Sequence, residues 1–153
     1  MDDSDSNSGS VGVTDSIGVS VSRSPVWAIG GFKAAVARFQ AAEESGDVDA
    51  AHQAVFEALS WLDSLLSVNK TLLGDNTVRA LTFARARSHH HLASVMELAE
   101  GSPAWVWRRA SLFPFDRNYK NEAGERAYMS VSGKPVLSKL AAAERAVERA
   151  FAS

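Results

Sequence analysis

Residues 47–68 read DVDAAHQAVFEALSWLDSLLSV. Val48, His52, Val55, Leu59, Leu62 and Leu66 recur every three or four positions, the spacing of one face of an α-helix. Trp61 and Leu65 widen the stripe, so this helix is expected to pack deeply. Asp47 is a suitable N-cap residue. Gly46, just before it, suits the end of a preceding helix.

On the N-terminal side, Phe32, Val36 and Phe39 mark a first helix over Phe32 to Ser45, after the Gly30-Gly31 pair. On the C-terminal side, Gly74-Asp75-Asn76 forms a turn and cap. A third helix is expected over Thr77 to Glu100, with the stripe Val78, Leu81, Arg85, Ser88, Leu92, Val95 and Ala99. Gly101-Ser102-Pro103 ends it. Ala104 to Arg109 alternates Trp105 and Trp107 with smaller residues, as in a short strand or extended arm. Leu112-Phe113-Pro114-Phe115 reads as a packed loop. Residues 122–131 read as a short helix that Gly124 weakens. The turn Ser132-Gly133-Lys134-Pro135 opens a final helix, Pro135 to Ala152, with Val136, Leu140, Val147 and Phe151 inward. Glu144, Arg145, Glu148 and Arg149 supply its charged outer face. The expected fold is all-α: a four- to five-helix bundle with a C-terminal arm plus helix. There is no internal repeat.

A chain of 153 residues suits one domain. It has no Cys, which excludes disulfides and thiolate chemistry. The net charge is -2; residues 1–24 carry four Asp against Arg23, so the remainder is +1. That is far from the basic balance of a typical DNA-binding domain. Residues 1–24, rich in Ser, Asp, Gly and Val and free of aromatics, are read as a disordered tail before a helical domain over 25–153. Within the tail, Val11 to Val21 alternates apolar and polar residues, the pattern of a strand. No apolar stretch reaches the roughly 18 residues of a membrane span. The acidic N-terminus has no apolar signal core, so a cytoplasmic location is expected.

The chemistry concentrates in Arg85-Ala86-Arg87-Ser88-His89-His90-His91. Arg85 falls on the apolar stripe, seven residues after Val78 and seven before Leu92. A charge there must be paired, snorkel or face a partner. Three His follow, and His is the side chain best suited to proton transfer near neutral pH. At about 100° per residue, Arg85 shares a face with His89, and Arg87 with His91. Arg85 and His90 stand about 140° apart, so they converge only through long side chains, a helix distortion or a second subunit.

Arg85-x4-His90 resembles the R-x4-6-H motif of HEPN domains, and His91 also fits that spacing. The resemblance spans about residues 32–100, with the motif on a late helix as in that family. It implies a compact helical bundle whose homodimer cleaves RNA without metal or other cofactor, in a toxin or defence role. By the same resemblance Arg85 and His90 are the catalytic residues. A general base takes the proton of the 2′-OH, which attacks the adjacent phosphate, while Arg stabilises charge on the phosphoryl oxygens. His90 suits the proton transfer, and Arg85 the phosphate, which its planar guanidinium grips at two oxygens. Arg87, His89 and His91 are supporting residues, and Asp63 is a candidate to orient Arg85. Many active members carry a polar residue directly after the Arg, where this chain has Ala86. The alternative is therefore a catalytically inert helical module that binds RNA or a protein partner. An antitoxin-like binder that uses its tail is a third. A looser similarity to uncharacterised actinobacterial proteins lies in residues 56–62, 84–90 and 105–109.

Plainer readings stand beside these. Arg85 with Asp63 is also the pattern of a structural ion pair, and the His run that of a solvated helix face. Adjacent His on a helix diverge, and no Cys or H-E-x-x-H completes a zinc site. His52 reads as a satisfied core histidine. Trp105 and Trp107 with Arg108 and Arg109 offer a base-stacking platform, although such pairs more often pack onto the bundle. No Gly-rich phosphate loop and no Ser or Cys nucleophile motif is present.

Overall fold

Helix α1 (Val26–Ser45) begins six residues before the expected start. Gly30 and Gly31 lie inside it, although each costs about 1 kcal/mol relative to Ala in a helix. Tertiary packing overrides that cost, because a β-carbon on Gly31 would overlap the Trp61 ring. Trp27 meets the same ring edge to face, centroids 5.1 Å apart. The end of α1 follows the sequence. Gly46 takes φ 72°, its N–H bonds the Glu43 carbonyl, and the Asp47 N–H bonds that of Ala42 at 3.0 Å. Glycine suits this left-handed position because it has no β-carbon to clash.

The computed structural model describes residues 25–91, 94–112 and 121–152. The expected tail over 1–24, the strand pattern within it, Leu92, and the Phe113-Pro114-Phe115 loop lie outside the described residues. Helix α2 (Val48–Val68) matches the sequence reading at both ends. The Asp47 carboxylate accepts from the Ala50 N–H at 3.1 Å. Val55, Leu59, Leu62, Leu65 and Leu66 are buried along it. A 3₁₀ turn (Lys70–Gly74) leads to α3 (Asn76–His91), where Asp75 accepts from the Val78 N–H at 3.0 Å.

The third helix does not reach Glu100. Met96–Leu98 instead forms strand β1, paired antiparallel with β2 (Trp105–Trp107), so that Met96 faces Trp107 and Leu98 faces Trp105. Val95 and Ala99 therefore leave the helical stripe, and the all-α expectation gains a small hairpin. Gly101-Ser102-Pro103 is the hairpin's turn, closed by Ala99 N–H to Ala104 carbonyl at 3.0 Å. The hairpin is pinned to the turn over residues 133–134 and to α1. Trp107 donates to the Lys134 carbonyl at 2.8 Å and accepts from Gly133 at 2.9 Å. The Trp105 N–H donates to Glu43 Oε2 at 2.9 Å.

Helix α4 (Glu122–Tyr128) is shorter than expected, and residues 129–132 form a turn. Its Gly124 is a packing requirement, since a β-carbon would come within 2.9 Å of Phe83 Cδ2. Helix α5 (Val136–Ala150) buries Val136, Leu140 and Val147 as expected, with Phe151 partly buried at its end. One core joins all these elements, with Phe32, Phe39, Leu62, Leu81, Tyr128 and Leu140 fully enclosed. Among the described residues, no helix is long and apolar enough to cross a membrane.

Candidate functional site

Arg85 and Asp63 are brought together where α3 crosses α2. Arg85 Nη1 stands 3.6 Å from Asp63 Oδ2, with 29% of the Arg side chain and 47% of the Asp side chain exposed. That separation is a Coulombic pair and too long for a hydrogen bond. Arg85 Nε is buried and has no hydrogen-bond partner among the described residues. The guanidinium is thus held near Asp63 without being saturated by it.

Arg87 does not join this pair. It is 3% exposed, its Nη2 lies 3.4 Å from Glu125 Oε1 of α4, and its guanidinium sits 5.2 Å over the Phe83 ring. Two residues along a helix is a rotation of about 200°, so Arg85 and Arg87 address opposite neighbours. The deeply buried cation of α3 is therefore Arg87, and the partly exposed one is Arg85. The backbone of His89, His90 and His91 forms the last turn of α3. Their side chains lie outside the described residues, so the geometry between Arg85 and His90 does too.

Beside Arg85 runs an open, mostly apolar groove of about 470 Å³ between α2, the end of α3 and β1. Val55, Phe56, Leu59 and Met96 line it, with Gln53 and Ser88 as polar points. Ser88 Oγ donates to the Arg85 carbonyl at 3.0 Å, and Leu59 precedes Asp63 by about one turn of α2. The groove and the ion pair are therefore neighbours. His52 closes one end. Its Nδ1 lies 3.0 Å from the Val48 carbonyl, which can only accept, so Nδ1 carries a proton. Its Nε2 meets Ser94 Oγ at 3.1 Å, and its ring meets Trp105 edge on at 5.0 Å. His52 is thus a satisfied structural histidine, although half-buried at a groove wall.

Phe56, 58% exposed, also lines a second depression of about 500 Å³ with Gln53, Ser60 and Trp61. Sequence reasoning passed over Phe56 because it lies off the apolar stripe. The signal was an aromatic residue on the outer face, between Gln53 and Glu57. Trp105 and Trp107 of β2 are buried in the core, so they offer no stacking platform. Arg109 pairs with Glu97 at 2.9 Å, and Arg108 Nη1 donates to the Ser94 carbonyl at 3.4 Å. Tyr128 donates to the Arg108 carbonyl. Burial, reinforced by the Glu97 charge, pushes the Tyr128 hydroxyl far above its ordinary pKa. Among the described residues, no group of three His, Cys, Asp or Glu is placed to hold a metal ion.

No protein-family model matches the chain, and no curated protein and no solved structure matches it.

Proposed function

We propose that this chain is a metal-independent endoribonuclease of the HEPN type, active as a homodimer in a toxin or defence role. The observation that carries the reading is Arg85, a partly exposed guanidinium near an open groove, with a carboxylate partner too distant to hydrogen-bond it. Such a group is ready to take phosphate oxygens. In the proposed reaction His90 accepts the proton of the RNA 2′-OH, and the 2′-oxygen attacks the neighbouring phosphorus. The bond to the 5′-oxygen breaks, and that oxygen leaves with a proton supplied by the His run. The products are a 2′,3′-cyclic phosphate and a 5′-OH. Arg85 stabilises the charge on the non-bridging oxygens. A second protomer would bring an Arg85 and a His90 together across the interface, relieving their separation of about 140° on one helix.

A second reading is an inert helical module that binds RNA or a protein partner. Ala86, where active HEPN proteins often carry a polar residue, favours it, as does the neutralisation of Arg85 by Asp63. The two readings separate in one assay. Purified wild type, Arg85→Ala and His90→Ala are incubated with RNA in EDTA, and folding is checked by circular dichroism. Cleavage by wild type alone is the expected result. Equal cleavage by all three proteins, or a strict monomer by light scattering that still cleaves, sinks the composite site. No cleavage over a broad RNA panel favours the inert module.

A further inference from the structure

We infer that the groove between α2 and β1 is a nucleobase subsite that seats an unstacked base of single-stranded RNA beside the phosphate held by Arg85. The inference rests on the RNA reading above and adds where a base binds. The first observation is the groove's size and lining. At about 470 Å³ it falls in the range of small-ligand sites and exceeds a single base. Val55, Leu59 and Met96 give it apolar walls, while Gln53 and Ser88 give it hydrogen-bonding points. Flat apolar faces with a polar edge are the chemistry of a base.

The second observation is Phe56. It borders both the groove and the depression that Trp61 lines. A ring 58% exposed on an outer helix face is a cost to a lone domain and a stacking surface to a base. The third observation is charge. The carboxylates near these depressions are already countered, Glu57 by Arg38 at 2.6 Å and Asp63 by Arg85 at 3.6 Å. A polyanion approaching Phe56 therefore meets acids that are already paired, and Arg85 can exchange its long contact with Asp63 for a phosphate. Ser88, which lines the groove, follows Arg85 by about one turn of α3.

The test measures binding apart from cleavage. Fluorescein-labelled 2′-O-methyl dodecamers of A and of U, which lack the attacking 2′-OH, are titrated by anisotropy at low salt. An abasic dodecamer of the same charge is the reference. Wild type is expected to bind the base-bearing strands roughly tenfold more tightly than the abasic strand, the scale of one stacked base. Phe56→Ala, at an exposed position that leaves the core intact, is expected to close most of that gap. Gln53→Ala is expected to change the ratio between A and U. Equal affinity of wild type for abasic and base-bearing strands overturns the inference and leaves the nuclease reading standing. A full gap retained by folded Phe56→Ala overturns it as well. A base-dependent gap in a protein that never cleaves ordinary RNA supports the subsite and removes the nuclease. Absence of binding to every strand overturns both.

Discussion

Arg85 and Arg87 are separated by one alanine, yet 29% of the first side chain is exposed and only 3% of the second. The difference follows from what each helix face meets. Arg87 lies against Phe83 and Glu125, so removing it deletes packing as well as charge. Arg87→Ala is expected to lower unfolding free energy by about 2–4 kcal/mol in urea titration. Arg85→Ala removes a long, part-solvated pair and is expected to cost less than about 1 kcal/mol, while abolishing the RNA cleavage proposed above. Equal stability losses would mean that the two arginines carry the same structural load. Arg85's exposure and Arg87's burial were only half legible in the sequence. The stripe through Val78 and Leu81 pointed to Arg85, but Ala80, Phe83, Ala84 and Arg87 form a second stripe that is buried throughout, because α3 lies between α2 and α4. The Arg85–Asp63 pairing was legible as a suggestion from charge alone.

The bounds of helix α2 were readable because stop, cap and apolar stripe follow one another over residues 46–68, although Val48, the first residue of that stripe, is exposed. Asp47→Ala should remove the bond to the Ala50 N–H and cost about 1 kcal/mol. The check is a shift of the urea midpoint with an unchanged slope; no shift would show that water replaces the cap at no loss. The start of α1 was not readable, because a glycine needed for close approach to Trp61, Gly31, looks like part of a break when the partner is unseen. The end of α3 failed for a different reason. Over a segment as short as Met96–Leu98, alternation and helical spacing place apolar residues almost alike. What decides for a strand is β2, itself held by Glu43 and Lys134 from elsewhere in the chain.

At the scale of the molecule, contacts distant in sequence hold the helices in register. Lys33 and Glu148 join α1 to α5 at 2.8 Å, an exposed pair that raises the lysine's pKa and lowers the carboxylate's through their mutual bond. Tyr128, fully enclosed, gives the fold an alkaline limit. Below about pH 10 the hydroxyl is protonated in both folded and unfolded chains, so it adds no pH dependence. Above that, the unfolded chain releases the proton and the folded one keeps it. Stability should then fall by up to about 1.4 kcal/mol per pH unit. Urea midpoints measured above pH 10 should fall more steeply for wild type than for Tyr128→Phe; parallel falls would show that Tyr128 ionises without unfolding. The bond from Asn69 Nδ2 to the Ala150 carbonyl at 3.1 Å links the turn after α2 to the end of α5. During synthesis, α1 and α2 emerge early and can pair at once. The enclosed places of Val136, Leu140 and Val147 stay empty until the final helix leaves the ribosome. A nascent chain thus carries its Arg–His run before the helix that completes the core has been made, so the fold around that run closes only after residues 136–147 have been synthesised.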